Sequence, residues 1–277
     1  MANINDVKSF WNDNPLWTGE SEHQPGTIEF FNEHRRVYID DVFTGNFDLR
    51  FMPPPRPAGQ QMKVLDLGCG IGFWTAEFAM RGLSNVFAAD LTENALEITK
   101  SRLGLLGLKV TLSQQNAENL SFSDNEFDHV NCQGVIHHTP DTEKAVSEIA
   151  RVIKPGGTAS ISVYYKNPFL KMWPYMRWLG VPLTWLGGGM KGRGRENIFL
   201  ESNVDEIVRL YDGSANPVGK SYSKSEFSAM LAPYFTVNEV YYHFFPARAL
   251  PFKIPKALHR WLDRSMGFMI FASLTKK

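Results

Sequence analysis

The chain has 277 residues, 43% of them hydrophobic, with 29 basic and 29 acidic side chains that balance to a formal net charge of +0. It can bury one sizeable core, and no overall field draws it to nucleic acid or to an acidic membrane. Two cysteines argue against a disulfide framework or a CxxC metal centre, and the first residues lack a signal-peptide pattern, so a cytoplasmic location is expected.

In chain order, Phe10 and Trp11 share one face of a short helix that begins near Asp6, and Trp17 follows Pro15. Such a segment either packs on the main domain or closes over a site. Thr27 to Phe43 reads as a second helix, with His34, Arg35, Arg36 and Tyr38 as an ordinary solvated or packing face. Pro53-Pro54-Pro55-Arg56-Pro57 is a semi-rigid extended connector between an N-terminal cap, residues 1–57, and a core at 58–165.

The core alternates strand and helix: 63–67, 73–82, 86–90, 93–106, 109–113, 128–133, 141–153 and 158–165. That order predicts a parallel sheet with helices on both faces. Thr92 is the expected N-cap of the second helix, with Gly82 and Gly107 as helix stops. Gly68, Gly70 and Gly72 separate the first strand from its helix, so the backbone can turn sharply and approach a ligand. A dinucleotide fingerprint needs a third glycine where Phe73 stands. Asp66 repels a phosphate but can pair with an ammonium, and Asp90, ending the second strand, can accept from ribose hydroxyls. A ribose and a zwitterionic tail without a phosphate describe S-adenosylmethionine.

Asp66-Leu67-Gly68-Cys69-Gly70-Ile71-Gly72 resembles the first motif of class I S-adenosylmethionine-dependent methyltransferases. Asp90 stands where that family places its ribose-binding acid. Asn116-Ala117-Glu118-Asn119-Leu120-Ser121-Phe122 resembles its adenine segment, Phe127-Asp128-His129-Val130 its fourth strand, and Arg151 to Gly157 the turn before the fifth. The resemblance covers roughly residues 62–165. It implies a Rossmann-like, seven-stranded, mostly parallel sheet with an N-terminal cap and an inserted lid. It also implies cofactor contacts from Asp66, Gly68, Cys69, Gly70, Asp90, Leu91, Asn116, Ala117, Glu118 and Gln133. Leu91 and Leu120 are candidate walls for adenine.

Asn131 to Pro140 resembles a loop of the type-11 branch that faces the sulfonium. A hydroxyl or amine acceptor must lose a proton, and histidine is suited to take it near neutral pH, so His138, or His137, is the candidate base. No carboxylate cluster accompanies these histidines, so no metal is expected. Residues 166–222 depart from the minimal fold. Pro168 to Leu186 is rich in aromatics and methionine, and reads as a lid over an apolar pocket, a membrane-surface patch or a dimer interface. Its prolines, Lys171 and Arg177 argue against membrane insertion. The candidate acceptor contacts are Trp11, Tyr165, Trp173, Arg193, Arg195 and Tyr211. Residues 223–277 return to the fold: a helix capped by Ser223, a strand from Phe235 to Phe245, a basic insertion at 254–264, and a last strand near Gly267 to Leu274.

The expected activity is methyl transfer to oxygen, nitrogen or carbon of a small-molecule acceptor, with no nucleic acid partner and with a homodimer left open. Other chemistry of the same cofactor, or a non-catalytic scaffold, are the alternatives.

Overall fold

The computed structural model describes residues 2–55, 61–185, 198–250 and 253–277. Two helices open the chain, α1 (Ile4–Asp13) and α2 (Ile28–Phe43). The alternating core follows as β1 (Lys63–Leu67), α3 (Phe73–Met80), β2 (Asn85–Asp90), α4 (Glu93–Leu105), β3 (Thr111–Gln114), β4 (Phe127–Gln133), α5 (Thr142–Val152) and β5 (Ile153–Tyr165). Then come α6 (Pro168–Met176), α7 (Gly180–Trp185), α8 (Val204–Tyr211), β6 (Ser221–Tyr222), α9 (Lys224–Leu231), β7 (Phe235–His243), α10 (Lys256–Met266) and β8 (Met269–Lys276).

The sheet runs β3-β2-β1-β4-β5-β8-β7, with β6 beside β5. Strands β1 to β5 are parallel, and β8 is antiparallel to both β5 and β7. The sheet therefore has eight strands where seven are expected. The extra one is Ser221–Tyr222, pairing with Tyr164 and Tyr165; two residues are too few to carry a readable period. Strand β5 also begins at Ile153 rather than at 158, because Ile153 already pairs with Phe127 before a register shift.

Val64, Leu65, Leu67, Val86, Ala88, Ala89, Val130 and Cys132 are all buried. This is the continuous apolar reading of strands covered on both faces. The chain moves outward from β1 to β3 and then returns to β4, so a crevice opens between β1 and β4 at their carboxyl ends. Thr92 occupies the N-cap position of α4, but its hydroxyl donates to Asp90 Oδ1 at 2.9 Å instead of accepting from the helix. Ser223 caps α9 in a reciprocal box with Glu226.

The N-terminal helices are fastened to this sheet by aromatic packing. Phe51 is fully buried, 4.9 Å from the rings of both Trp74 and Phe271 and 5.1 Å from Phe43. Phe51→Ala should cost about 3–5 kcal/mol of unfolding free energy, read from denaturant midpoints. A loss below about 1 kcal/mol would show that the segment is not part of the cooperative core.

A buried ion cluster ties the same region to the far strands. His243 Nδ1 lies 2.8 Å from Asp263 Oδ2, and Nε2 lies 2.9 Å from Asp48 Oδ2. Burial works against the charged imidazole, yet Asp263 and Asp48 outweigh it and raise its pKa above the usual value. A raised pKa makes this stabilisation complete below the unfolded value of about 6.5 and removes it as pH climbs through the folded value. The melting-temperature gap between wild type and His243→Gln should therefore be largest in mild acid and shrink above neutrality. A gap that widens with pH would contradict the assignment.

Candidate active site

The turn after β1 is built by backbone constraint. The amides of Gly68 and Cys69 both donate to Ala89 O, at 2.7 and 2.9 Å, which fastens the turn to β2. Gly68 has φ +71°, and a Cβ there would stand 2.2 Å from Val135 Cγ2, so no other residue fits. Gly70 has φ +53° and faces open space, with nothing within 4 Å of where its Cβ would be. Its amide donates to Asp90 Oδ2 at 2.9 Å, while Asp90 Oδ1 accepts from Thr92 N, also at 2.9 Å. Oδ1 accepts from the Thr92 hydroxyl as well, so Oδ2 is the oxygen that keeps a lone pair for a ligand.

Beneath the turn, Asp66 is buried and accepts from Thr75 Oγ1 at 2.5 Å and Asn131 Nδ2 at 2.8 Å. Burial pushes its carboxyl up to about 6, against the pull of those two bonds. Asn131 in turn accepts from Gln133 Nε2 at 2.9 Å, while the Gln133 Oε1 atom is buried without a partner. Gln133 borders a cavity of about 330 Å³ over the carboxyl ends of the strands. Gly68, Gly70, Asp90, Leu91, Asn116 and Ala117 line it.

His137, His138, Tyr164 and Asp212 also line this cavity. His138 Nδ1 lies 2.7 Å from Val218 O, so that nitrogen carries a proton, and Nε2 faces Asp212 Oδ2 at 3.4 Å. The Tyr164 hydroxyl donates to Asp212, at 2.8 Å from each oxygen. His137 packs 4.2 Å from the Tyr164 ring, and burial drives its pKa well below the usual value, which leaves it neutral. Lys220 Nζ clamps the turn that carries both histidines by donating to Thr139 O and Pro140 O. Trp11, from α1, joins them with its ring 5.0 Å from that of His138.

The model of a methyltransferase domain matches residues 65–161. Those residues carry the glycine turn, Asp90, Gln133 and both histidines. The chain carries a methyltransferase domain.

Its curated relatives include ubiquinone biosynthesis O-methyltransferases. That of Dechloromonas aromatica is 36% identical over 107 residues, covering 38% of this chain and 46% of its own. That of Stutzerimonas stutzeri is 33% identical over 153 residues, covering 55% and 59%. The chain thus spans about half the length of these relatives. Among solved structures, an S-adenosylmethionine-dependent methyltransferase of Methanosarcina mazei aligns with TM-score 0.54 at 21% identity, over 78% of this chain and 92% of its own. One from Mesorhizobium loti aligns with TM-score 0.52 at 18% identity, over 79% and 93%. Both show the shared fold. S-adenosylmethionine is the cofactor of such a methyltransferase domain, and the cradle fits it: a carboxylate for the ribose, an open glycine face, and an orphaned amide oxygen for an ammonium.

The cavity gathers most of the expected residues but not all. Asp66 does not line it and works from beneath, bracing the turn through Thr75 and Asn131 rather than meeting an ammonium. Cys69 lends its backbone only; its thiol lies against Thr99, and burial raises its pKa well above the usual value. Glu118 turns away to accept from the Asp141 amide at 2.6 Å, and Asn116 Oδ1 accepts from Glu118 N at 3.0 Å. Leu91 is a wall, whereas Leu120 belongs to the core.

On the acceptor side Trp11 and Tyr211 line the cavity. Trp173 is buried behind it with Tyr164, Leu170 and Tyr211, and Tyr165 stacks on Tyr242 at 4.6 Å, away from it. Arg193 and Arg195 lie outside the described residues. Among the described residues no group of three or more His, Cys, Asp or Glu could hold a metal. Sequence reading passed over Asp212 and Tyr164, and took His34 and Tyr38 for an ordinary face although both line the cavity. One signal for Asp212 was present: a carboxylate at the C-terminal end of a helix opposes the helix dipole, and such a position invites a functional reason.

Proposed function

We propose that the protein transfers the methyl group of S-adenosylmethionine to a small-molecule acceptor bound between the glycine turn and the Tyr164–Asp212–His138 wall. The cofactor supplies an electrophilic methyl on a sulfonium. Asp90 takes the ribose hydroxyls, and the buried oxygen of Gln133 takes the ammonium of the amino-acid tail. Displacement at the methyl is in line, so alignment of the acceptor provides most of the acceleration. Asp212 faces the cavity as a proton acceptor for a hydroxyl or amine. His138, with Nδ1 spent on Val218 and Nε2 3.4 Å from Asp212 Oδ2, flanks that carboxylate rather than meeting the acceptor. Trp11 excludes water above it.

The observation that carries this reading is one cavity holding both an orphaned acceptor atom beside the glycine cradle and the Asp212 carboxylate. The test is to incubate the purified protein with methyl-labelled S-adenosylmethionine and cell extract, and then to separate small molecules from protein and nucleic acid. Label should enter a small molecule. Label confined to the macromolecular fraction, or remaining on the cofactor, would refute the proposal.

A further inference from the structure

A concentration of exposed apolar side chains lies on α6 and the turn after it, and a second on α10. On α6, Leu170 and Trp173 turn inward, which leaves Phe169, Met172 and Tyr175 outward, and Trp178 and Val181 continue the surface. Tyr175 is 84% exposed and Trp178 68%, and clustered apolar exposure of this kind marks an interaction surface. On α10, Asp263 turns inward to His243, while Leu258 and Trp261 face out, Trp261 being 61% exposed. The two helices meet where the Asn167 amide, at the start of α6, donates to the carbonyls of Met266 and Gly267 at 3.2 and 3.4 Å.

Charge on these helices has one sign. Residues 166–185 contain Lys166, Lys171 and Arg177 and no acid. Residues 253–266 contain Lys253, Lys256, Arg260 and Arg264, and their single acid is the buried Asp263. In a chain of formal net charge +0, this is a strong local segregation. Basic side chains beside outward tryptophan, leucine and methionine make an interfacial surface, in which apolar groups enter the headgroup boundary and cations meet anionic lipid. A second copy packed on the same face by a two-fold axis would bring like charge onto like charge. Nucleic acid would match the charge and stack on Tyr175, Trp178 and Trp261, but it would leave Met172, Val181 and Leu258 without an apolar partner, which a lipid boundary supplies.

We infer that the α6–α10 face docks the protein on an anionic lipid surface. Docking is peripheral, since no helix among the described residues is long and apolar enough to cross a membrane. The inference does not depend on methyl transfer, and it is read without turnover.

The test is flotation of the full chain with vesicles of phosphatidylcholine alone, and of phosphatidylcholine and phosphatidylglycerol in equal parts. Binding should require the anionic lipid and weaken with salt. Lys256→Glu with Arg260→Glu should reduce it by at least about tenfold, at roughly fivefold per basic side chain. Trp178→Ser with Trp261→Ser should reduce it comparably, with melting temperature and cofactor affinity unchanged because all four positions are exposed. Absence of vesicle binding, or equal binding to neutral vesicles, would overturn the inference. So would a dimer dissolved by Trp261→Ser, or displacement from vesicles by a polynucleotide.

Discussion

Asp90→Ala should lower the affinity for S-adenosylmethionine by about 10²- to 10⁴-fold, the worth of two charge-assisted hydrogen bonds at roughly 1.5–3 kcal/mol each. The residue acts twice. It holds Gly70 N and Thr92 N, which sets the shape of the cradle, and its Oδ2 keeps a lone pair for the ribose. Gly70→Arg separates these roles. The Gly70 Cβ direction is open, so an arginine there enters the cofactor's space, at the local cost of holding a side chain at φ +53°. Cofactor binding should vanish in a calorimetric titration, while circular dichroism and cooperative unfolding persist. Wild-type affinity in either variant would mean that the cofactor binds elsewhere.

Asp212→Asn should lower kcat by about 10²- to 10⁴-fold, the usual worth of a positioned base, with cofactor affinity unchanged. The amide keeps an oxygen for the Tyr164 hydroxyl and nearly the same shape, so the site should remain assembled. What it loses is the charge that faces His138 Nε2 and the capacity to take a proton. A kcat within threefold of wild type, measured on the acceptor found by label transfer, would remove Asp212 from the chemistry and leave alignment alone.

The two halves of the site differ in how far the sequence exposes them, and the reason is physical. Gly68, Gly70 and Asp90 are legible because a backbone turn dictates them: one glycine meets Val135, one opens on the cavity, and the acid closes the next strand. Local constraints of that kind leave local patterns. Asp212 and Tyr164 stand 48 residues apart and meet because α8 folds back against the end of β5, which no periodicity announces. Trp173 shows the same limit. Its spacing from Leu170 marks an inward face of α6, but what lies inside is a satellite core behind Tyr164 rather than the cavity. His34 and Tyr38 pack as a helix face should, on Trp17 and Phe73, and they border the cavity as well, which a helix face does not announce in sequence. The eighth strand, two residues long, exists only through its partner β5.

The central claim is that cofactor and acceptor share the cavity between the glycine turn and the Tyr164–Asp212–His138 wall. The most direct measurement is a crystal structure of the protein grown with S-adenosylhomocysteine. The account predicts the ribose on Asp90, the amino group against Gln133 Oε1, the adenine beside Leu91 and Ala117, and the sulfur turned toward Asp212. A ligand seated outside this cavity, or one whose sulfur points away from that wall, would contradict it.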